Sequence, residues 1–251
     1  MQKVQKNDFG TPEWRLFFEK NGRVISPIHD ITLFGDGDNI VRMVVEIPRG
    51  SQAKMEMATK EPFNPIKQDV KNGKLRFVQY PYPFNYGALP QTWEDPKFKD
   101  HNTKSFGDGD PIDACEIGSL KPKIGDVIEV KVLGIWGMID DGQTDWKVVC
   151  INVKDPLAPQ INSLLDVGEK LPGVLNYFHA FLRDYKIPSG AGPNQFAFDG
   201  ELKNQEFAMK IIRETHEQWY NAVDGNVEAV EGAIWLPSEV SKEQSNGCSI
   251  Q

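Results

Sequence analysis

The sequence predicts a mainly β fold with flanking helices, an α+β arrangement built around a small barrel or sandwich. Short runs of β-branched and aromatic residues, separated by turn-forming glycine, proline and asparagine, recur over the first 153 residues. Helical periodicity begins only after residue 172. The 251 residues are 39% hydrophobic and 25% charged, which is typical of a globular chain with one substantial core.

The predicted strands are rich in β-forming residues, and some alternate between apolar and polar side chains. In residues 53–57 the apolar side chains share one face, while Lys54 and Glu56 lie on the opposite face. A cation and a carboxylate are therefore expected side by side on the polar face. The full set of predicted strands is residues 14–19, 41–47, 53–57, 74–78, 127–135 and 146–153.

Two helices are predicted late in the chain, and their apolar stripes are assigned to the core. The first follows Pro172, which suits a first helical turn, and it ends before Pro188. The second spans about residues 205–222. The stripes consist of Val174, Phe178, Phe181, Leu182 and Tyr185 in the first helix, and Phe207, Ile211, Thr215 and Trp219 in the second.

No linker or repeat divides the chain, so we predict one domain over residues 1–251. It has additional N-terminal strands over about 1–45 and a polar C-terminal tail over about 222–251. The net charge of −8 argues against a nucleic-acid binder that uses a general basic surface.

The cysteine count and the absence of apolar segments predict a cytoplasmic location. Three cysteines without a CxxC pair are typical of reduced thiols. No apolar run approaches the ~20 residues of a transmembrane helix, and the first residues lack the apolar core of a signal peptide. Residues 248–251, Cys-Ser-Ile-Gln, fit a prenylation pattern, but no polybasic stretch supports it and a frayed tail is the alternative.

The strongest functional signal is a turn with three aspartates, Asp108, Asp110 and Asp113, within six residues. Glycine and proline between them favour a tight, non-helical conformation. Carboxylates so close together repel one another unless cations lie between them, and hard divalent cations such as Mg²⁺ prefer carboxylate oxygen. The turn therefore predicts a metal site that handles an anionic substrate.

The third aspartate makes this prediction specific. A near-copy of the turn at residues 34–39 lacks it and lies between two strand-like runs, so we interpret that copy as a hairpin turn. The spacing at Asp108–Asp113 is not that of an EF-hand. The four histidines show no zinc-ligand spacing, so oxygen-only ligation favours Mg²⁺ or Mn²⁺.

A second acidic turn contains Asp140, Asp141 and Asp145 around Gly142. Alone it is explained by a polar hairpin. If it converges on the first turn, the two supply enough oxygen for more than one metal ion. Asp145 and Lys147 are expected on one strand face.

Isolated cations and two tyrosines complete the candidate set. Lys54, Arg76 and Lys147 lie on polar faces of predicted strands, and such a face in a barrel can line an anion-binding groove. Residues 80–87 contain two prolines and a glycine, which predict a rigid irregular loop presenting Tyr82 and Tyr86. The alternatives are solvated lysines and tyrosines packed in the core.

Taken in order along the chain, these motifs resemble the first family of soluble inorganic pyrophosphatases. The run Asp108-Gly109-Asp110-Pro111-Ile112-Asp113 matches the family signature. Matches extend from about residue 34 to 219 and include residues 44–49, 54–56, 76–77, 85–87, 140–147 and 185–188. The phrase at residues 90–96 resembles eukaryotic members, whereas the compact loop at 82–87 is more similar to bacterial ones.

The resemblance implies a five-stranded OB-like β-barrel with flanking helices. It also implies hydrolysis of inorganic pyrophosphate to two orthophosphates with several Mg²⁺ ions, in which a water between two metals attacks directly. Mn²⁺ is expected to substitute and Ca²⁺ to inhibit, since Ca²⁺ tolerates looser coordination.

The resemblance assigns a role to each matching residue. Asp110 accepts a proton from the attacking water, within a metal-binding group made of Asp108, Asp110, Asp113, Asp140, Asp145 and, through water, Glu56. The phosphates are expected to bind Lys54, Arg76, Tyr86, Lys147, Tyr185 and Lys186. Glu46 is expected at the edge of the site, and Tyr82 matches a tyrosine proposed as a proton donor. Asp110, Tyr82, Lys54 and Arg76 form the catalytic set.

The expected partner is pyrophosphate, with no nucleic acid and no transmembrane segment, in a homodimer like those of eukaryotic-type relatives. Two other functions remain open from the sequence. One is a metal-dependent phosphatase of organic phosphates, and the other is a non-catalytic module that binds divalent cations or phosphate.

Overall fold

The computed structural model describes residues 1–225 and 234–236, and β-strands form most of its regular structure. The strands are β1 Gln2–Lys6, β2 Arg15–Lys20, β3 Arg23–Ile25, β4 Ile40–Ile47, β5 Met55–Met57, β6 Ile66–Gln68, β7 Val70–Lys71, β8 Lys74–Leu75, β9 Asn85–Ala88, β10 Phe106–Gly107, β11 Asp113–Glu116, β12 Val127–Asp140, β13 Gln143–Asn152, β14 Gln195–Phe196 and β15 Lys203–Asn204. The α-helices are α1 Leu164–Lys170, α2 Val174–Asp184 and α3 Gln205–Val223. Short 3₁₀ turns lie at Ala158–Gln160, Ile187–Ser189 and Phe198–Gly200.

Five strands close into a barrel, as predicted. Strand β12 pairs with β4, β4 with β9, β9 with β11 and β11 with β13, and β13 returns to pair with β12. Only the β11–β13 pair in this ring is parallel. The long β12–β13 hairpin closes the barrel, because β12 contacts β4 with its first half and β13 along nearly its whole length.

A second sheet covers one side of the barrel. Its order is β1-β2-β6-β5, with β3 also paired to β2. Strand β5 places Met55 and Met57 in the core and leaves Glu56 partly accessible, which is the alternation that the sequence predicts.

The two predicted helices are confirmed and pack on different parts of the barrel. Helix α2 buries Phe178, Phe181 and Leu182 in a cluster that includes Trp136 and Phe84. Helix α3 begins after Asn204, whose side chain accepts a hydrogen bond from the Phe207 N–H, and it buries Ile211, Thr215 and Trp219. The seven-residue helix α1 has a Ser163 N-cap and was not predicted from the sequence.

Two local predictions are wrong. The strand predicted over 74–78 ends at Leu75, so Arg76 lies just beyond β8, although Phe77 still forms an isolated bridge to Ala53. The loop predicted over 80–87 becomes the barrel strand β9 from Asn85 onward. Gly87 permits this, because a Cβ there would lie 2.0 Å from the Val44 carbonyl oxygen of the adjacent strand.

The C-terminal part of the chain is only partly described. Ala222 and Val223 belong to α3, and residues 234–236 pack on the body of the protein. The prenylation pattern at residues 248–251 lies outside the described residues. Within the described ranges, no helix is both long and apolar enough to cross a membrane.

Candidate active site

The aspartate turn lies between β10 and β11 and is fastened from behind by residues 93 and 94. The Trp93 Nε1–H donates to the Gly109 carbonyl at 2.9 Å, and the Glu94 N–H donates to the Asp110 carbonyl at 2.9 Å. The chain passes so closely that a Cβ on Gly107 would lie 2.2 Å from the Glu94 carbonyl oxygen. Gly109 adopts a positive φ of 89°, which glycine accepts without strain.

The near-copy at residues 34–39 has no such surroundings. Its backbone closes on itself, since the Gly35 N–H donates to the Ile40 carbonyl at 3.0 Å. Asp36 and Asp38 are both exposed. The interpretation of this copy as a simple turn is confirmed.

Strand register places Lys147 between two of the predicted metal ligands. Asp113 of β11 lies opposite Lys147 of β13, and the Lys147 ammonium donates to both Asp113 and Asp145. It also donates to the Tyr86 hydroxyl at 3.1 Å, and that hydroxyl donates to Asp113. Lys147 is only 2% exposed, so this lysine is an internal countercharge rather than a surface residue.

A carboxylate that the sequence did not predict, Glu94, completes a tight acidic cluster. Oxygen atoms of Glu94, Asp108 and Asp145 all lie within 4.8 Å of one another. Glu94 is 2% exposed; its Oε1 accepts the Trp146 N–H at 3.0 Å, while its buried Oε2 has no hydrogen-bond partner among the described residues. An unpaired buried carboxylate oxygen beside two others is a suitable ligand for a cation.

The carboxyl groups of this centre have raised pKa values in the protein alone. Burial and the neighbouring Asp108 and Asp145 charges raise the pKa of Glu94 well above its ordinary value. Burial and Asp145 do the same to the pKa of Asp108. Burial raises the pKa of Asp145 to about 7, although Lys147 opposes the shift. Such mutual repulsion is relieved when a cation binds.

Asp110 faces a separate small cavity of about 40 Å³. Burial and the Asp113 charge raise the pKa of Asp110, whereas Lys54 and a hydrogen bond from the Thr59 hydroxyl lower it. The cavity is lined by Glu46, Lys54, Glu56, Met57, Ala88, Asp110, Pro111 and Asp113.

Glu46 lies deeper than the edge position expected for it. It is 4% exposed, and its carboxylate accepts the Met57 N–H at 2.7 Å. Burial, followed by the Asp113 charge, raises the pKa of Glu46 to about 8.

The second acidic turn joins a cationic pocket on the other side of the site. Asp140 ends β12, and its carboxylate accepts hydrogen bonds from the Lys186 ammonium and, at 3.5 Å, from the Tyr185 hydroxyl. Arg76, Tyr185 and Lys186 line a common cavity of about 90 Å³. The Arg76 guanidinium is held by Asp69 at 2.8 Å.

The predicted tyrosines Tyr82 and Tyr86 belong to an aromatic cluster. The Tyr82 ring lies 5.3 Å from Tyr86 and 5.2 Å from Phe181, and Tyr82 is 3% exposed. Burial raises the pKa of Tyr82, so its phenol stays protonated. The Lys54 ammonium lies 5.6 Å from the Tyr86 ring centroid.

The structure therefore brings the sequence-predicted residues together as three adjoining groups. Asp108, Asp145 and Glu94 form the acidic cluster, and Asp113 is connected to it through Lys147. Asp110, Lys54, Glu56 and Glu46 line one cavity, and Arg76, Tyr185 and Lys186 line the other, with Asp140 paired to Lys186. The arrangement suits a polyanionic substrate bound between carboxylate-held cations and fixed basic side chains.

Comparison with known proteins agrees with this chemistry. Residues 43–220 match the family model described as inorganic pyrophosphatase. The inorganic pyrophosphatase of Dictyostelium discoideum is 56% identical over 226 residues, which cover 90% of this chain and 81% of that protein.

Solved structures of inorganic pyrophosphatases are also similar to this chain. The inorganic pyrophosphatase of Schistosoma japonicum superposes with a TM-score of 0.86 at 50% identity, covering 88% of this chain and 81% of that one. An N-terminally truncated vacuolar soluble pyrophosphatase of Trypanosoma cruzi, solved in complex with PPi, has a TM-score of 0.84 at 44% identity and covers 88% and 90% of the two chains.

Proposed function

Because this chain belongs to the family of soluble inorganic pyrophosphatases, and so hydrolyses pyrophosphate to two orthophosphates, we propose how its own residues perform that reaction. Members of the family depend on metal ions, and we propose Mg²⁺ as the ion used here. The observation that supports the proposal best is the buried acidic cluster with the unpaired Glu94 Oε2 beside two basic cavities.

The metal-binding role is proposed for clustered carboxylates whose mutual repulsion a bound cation would relieve. Asp108, Asp113 and Asp145 are the proposed direct ligands, and Glu94 completes the ring of oxygens around them. Asp140 is proposed to hold a further ion that arrives with the substrate, and Glu56 to act on the metal shell through water. When bound, divalent cations lower the pKa of water and neutralise phosphate charge.

Asp110 is the proposed proton acceptor. It lies on the aspartate turn but faces the cavity shared with Lys54 and Glu56, and its backbone is fixed by Glu94. A fixed carboxylate can take the proton of a water that attacks phosphorus from this cavity. Its position beside, rather than within, the cluster supports a division of roles among the three aspartates.

The basic residues are proposed to bind the two phosphoryl groups. The Lys54 and Lys147 ammonium groups lie 5.6 and 5.5 Å from the Tyr86 ring centroid, and Arg76, Tyr185 and Lys186 line the second cavity. Arg76 can bind phosphate with two parallel hydrogen bonds, and its contact with Asp69 fixes the direction of the guanidinium. These groups stabilise the charge of the departing phosphate.

Tyr82 is proposed as a proton donor. Its phenol remains protonated because burial raises its pKa, as a proton donor requires. Its ring packs against Tyr86 and Phe181, so it also has a structural reason to be buried.

Oxygen-only ligation supports Mg²⁺, with Mn²⁺ as a substitute. Ca²⁺ is larger and is expected to occupy the carboxylates while positioning water poorly, so it should inhibit. Adding Ca²⁺ to the Mg²⁺-loaded enzyme tests this; activation by Ca²⁺ alone would contradict it.

One assay separates the proposal from the two other functions considered. Phosphate release is measured with Mg²⁺-pyrophosphate, ATP and p-nitrophenyl phosphate in parallel. Release from pyrophosphate far above the other two is expected. Preference for an organic phosphate would favour a general phosphatase, and no release from any would favour a binding module.

We further propose that the chain is a single domain, forms a homodimer and is cytoplasmic. The buried thiols Cys115 and Cys150 are free, which suits a reducing compartment. Light scattering coupled to gel filtration measures the dimer directly, and a monomeric mass at micromolar concentration would refute it. Cell fractionation tests the location.

A further inference from the structure

One buried threonine, Thr92, interrupts the pairing of two barrel strands beside the aspartate turn. Strands β9 and β11 are antiparallel, with Ala88 opposite Asp113, so Leu89 and Ile112 are the next opposite pair. The Leu89 N–H donates to the Ile112 carbonyl at 2.9 Å, as this ladder requires. The reciprocal bond, from the Ile112 N–H to the Leu89 carbonyl, is replaced by a bridge through Thr92.

The Thr92 hydroxyl occupies the gap between the two chain segments. Its oxygen accepts the Ile112 N–H at 3.0 Å, and its own hydrogen is donated to the Leu89 carbonyl at 2.7 Å. A hydroxyl can form both bonds at once, because it has one donor and two acceptor sites. The side chain therefore acts as a spacer that joins the segments while holding this side of the pair farther apart than a direct bond would.

The bridge closes a bulge in the strand pairing next to the turn. Beyond Leu89, the next backbone-to-backbone bond to the turn is made by Glu94, whose N–H donates to the Asp110 carbonyl at 2.9 Å. Residues 90–93 therefore lie opposite a single residue, Pro111, which has no N–H. Backbone-to-backbone pairing cannot continue at this point, so a side chain supplies the missing bond.

Bulk water does not reach this bridge. Thr92, Leu89 and Ile112 are each 0% exposed. Without the hydroxyl, the Ile112 N–H and the Leu89 carbonyl would be buried without a partner, or the two segments would close into a direct bond. Because Ile112 lies between Asp110 and Asp113 in the chain, either change moves one of these aspartates relative to the other.

We propose that Thr92 is a positioning residue for pyrophosphate hydrolysis: its inserted hydroxyl sets the separation between Asp110 and Asp113. This inference rests on the proposed roles of these two aspartates as proton acceptor and metal ligand. The proton acceptor must stay within hydrogen-bond reach of a water that the metals hold, so the distance between acceptor and ligand matters for turnover. A displacement of about 1 Å at such a group can lower turnover by up to ~100-fold.

Thr92→Val tests the spacer in the full-length enzyme, because valine has nearly the same shape and lacks the hydroxyl. The kcat at saturating Mg²⁺ is expected to fall about tenfold, and the Kd for Mn²⁺ in the absence of substrate to rise about tenfold. KM for Mg²⁺-pyrophosphate should change less than about threefold, since the basic side chains that bind phosphate are untouched. Thr92→Ser, which keeps the hydroxyl, should retain most of the wild-type kcat and Mn²⁺ affinity.

Thr215→Val is the matched control, because Thr215 is also a buried threonine, at 3% exposure, but its hydroxyl donates to the Ile211 and Ile212 carbonyls of its own helix. It should lower Tm and leave kcat and Mn²⁺ affinity unchanged. If Thr92→Val does not fold, Thr92→Cys replaces it, because a thiol of similar size forms only weak hydrogen bonds. Losses of kcat and of Mn²⁺ affinity are again expected.

Wild-type kcat and Mn²⁺ affinity in the folded Thr92→Val enzyme would overturn the inference, as would a Thr92→Ser enzyme that is as impaired as Thr92→Val. Asp113→Asn is measured alongside as the reference for a lost ligand. If it weakens Mn²⁺ binding while Thr92→Val does not, only the spacer role fails; if Asp113→Asn keeps the wild-type Mn²⁺ affinity, the ligand role of Asp113 itself fails.

Discussion

At the residue scale, three aspartates of one turn have different surroundings and therefore different proposed roles. Asp108 faces Glu94 and Asp145, and Asp113 is paired to Lys147 and Tyr86. Asp110 lines the cavity with Lys54 and Glu56, which Asp113 also borders. Backbone geometry separates these side chains, because Gly109 takes a positive φ between the first two.

Asp110→Asn should therefore lower turnover by at least ~100-fold, since the amide cannot accept the proton. Resting metal affinity should change little, because the direct ligands are intact. Steady-state kinetics at saturating Mg²⁺ and a Mn²⁺ binding titration measure the two effects. Turnover close to that of the wild type would remove Asp110 from this role.

Arg76→Ala should weaken substrate binding and lower turnover while leaving metal binding in the absence of substrate intact. Arg76 lines the cavity with Tyr185 and Lys186, and none of the acidic-cluster residues lines that cavity. Arg76→Lys is the matched variant and should recover only part of the activity, because lysine lacks the two-pronged geometry. A loss of resting metal affinity as large as the loss of activity would show that Arg76 serves the metals instead.

At the element scale, strand register determines which charged side chains lie next to each other in the site. The parallel β11–β13 pair sets Asp113 opposite Lys147, and the β12–β13 hairpin presents Asp140 and Asp145 from its two arms. The Trp235 N–H donates to the Thr59 carbonyl in the turn after β5, and His29 bridges Trp235 to Trp219 of α3.

His29 should make the stability of this junction depend on pH. Burial lowers its pKa below 6.5, against smaller opposing effects of the Trp235 carbonyl and Asp30. The unfolded chain therefore takes up a proton as pH falls below about 6.5, before the folded protein does, so stability decreases in that direction. Above about pH 6.5, where His29 is neutral in the folded and the unfolded chain, it adds nothing to the pH dependence of stability.

His29→Gln is the control, because an amide can accept from Trp219 and donate to Trp235 without titrating. Urea unfolding at several pH values between 5 and 7.5 should show a smaller pH dependence for this variant than for the wild type. Equal slopes for the two proteins would contradict the neutral, doubly bonded state of His29.

Much of this architecture could be predicted from the sequence, because it depends on local pattern. The sequence pattern predicted the barrel strands β4, β12 and β13 and the helices α2 and α3, but not the barrel strands β9 and β11. The third aspartate distinguished Asp108–Asp113 from the exposed copy at Asp36 and Asp38. The short helix α1 has too few residues for a periodic signal.

The residues that the sequence did not predict take their positions from contacts between distant parts of the chain. Glu94 lies in an irregular segment between Trp93 and Asp95, and only the fold brings it to Asp145, 51 positions later. The burial of Trp235 likewise depends on His29 and Trp219. The phrase Trp93-Glu94-Asp95, already noted as shared with eukaryotic relatives, was the available signal for Glu94.

At the scale of the whole molecule, the acidic centre couples metal binding to proton release. In the protein alone, burial raises the pKa of Asp145 to about 7 and that of Glu46 to about 8. The folded protein therefore retains protons that the unfolded chain has lost, so these groups favour folding at low pH and that contribution disappears as pH rises to about 8. A bound cation stabilises the ionised carboxylates, and it therefore removes the free-energy cost of ionising them in the folded protein.

Metal affinity should accordingly rise with pH through about 7, where the Asp145 carboxyl loses its proton. Calorimetric titration at pH 7 in two buffers of different ionisation enthalpy should reveal net release of protons. Binding without proton release, and with affinity independent of pH, would contradict the raised pKa values of the cluster.

The central claim is that the buried carboxylates form the metal centre, and anomalous diffraction from crystals soaked in Mn²⁺ tests it most directly. We expect anomalous density between the carboxylates of Asp108, Asp113 and Asp145, with Glu94 beside it. Density confined to exposed acidic turns such as Asp36 and Asp38, at Mn²⁺ concentrations that support turnover, would contradict the account.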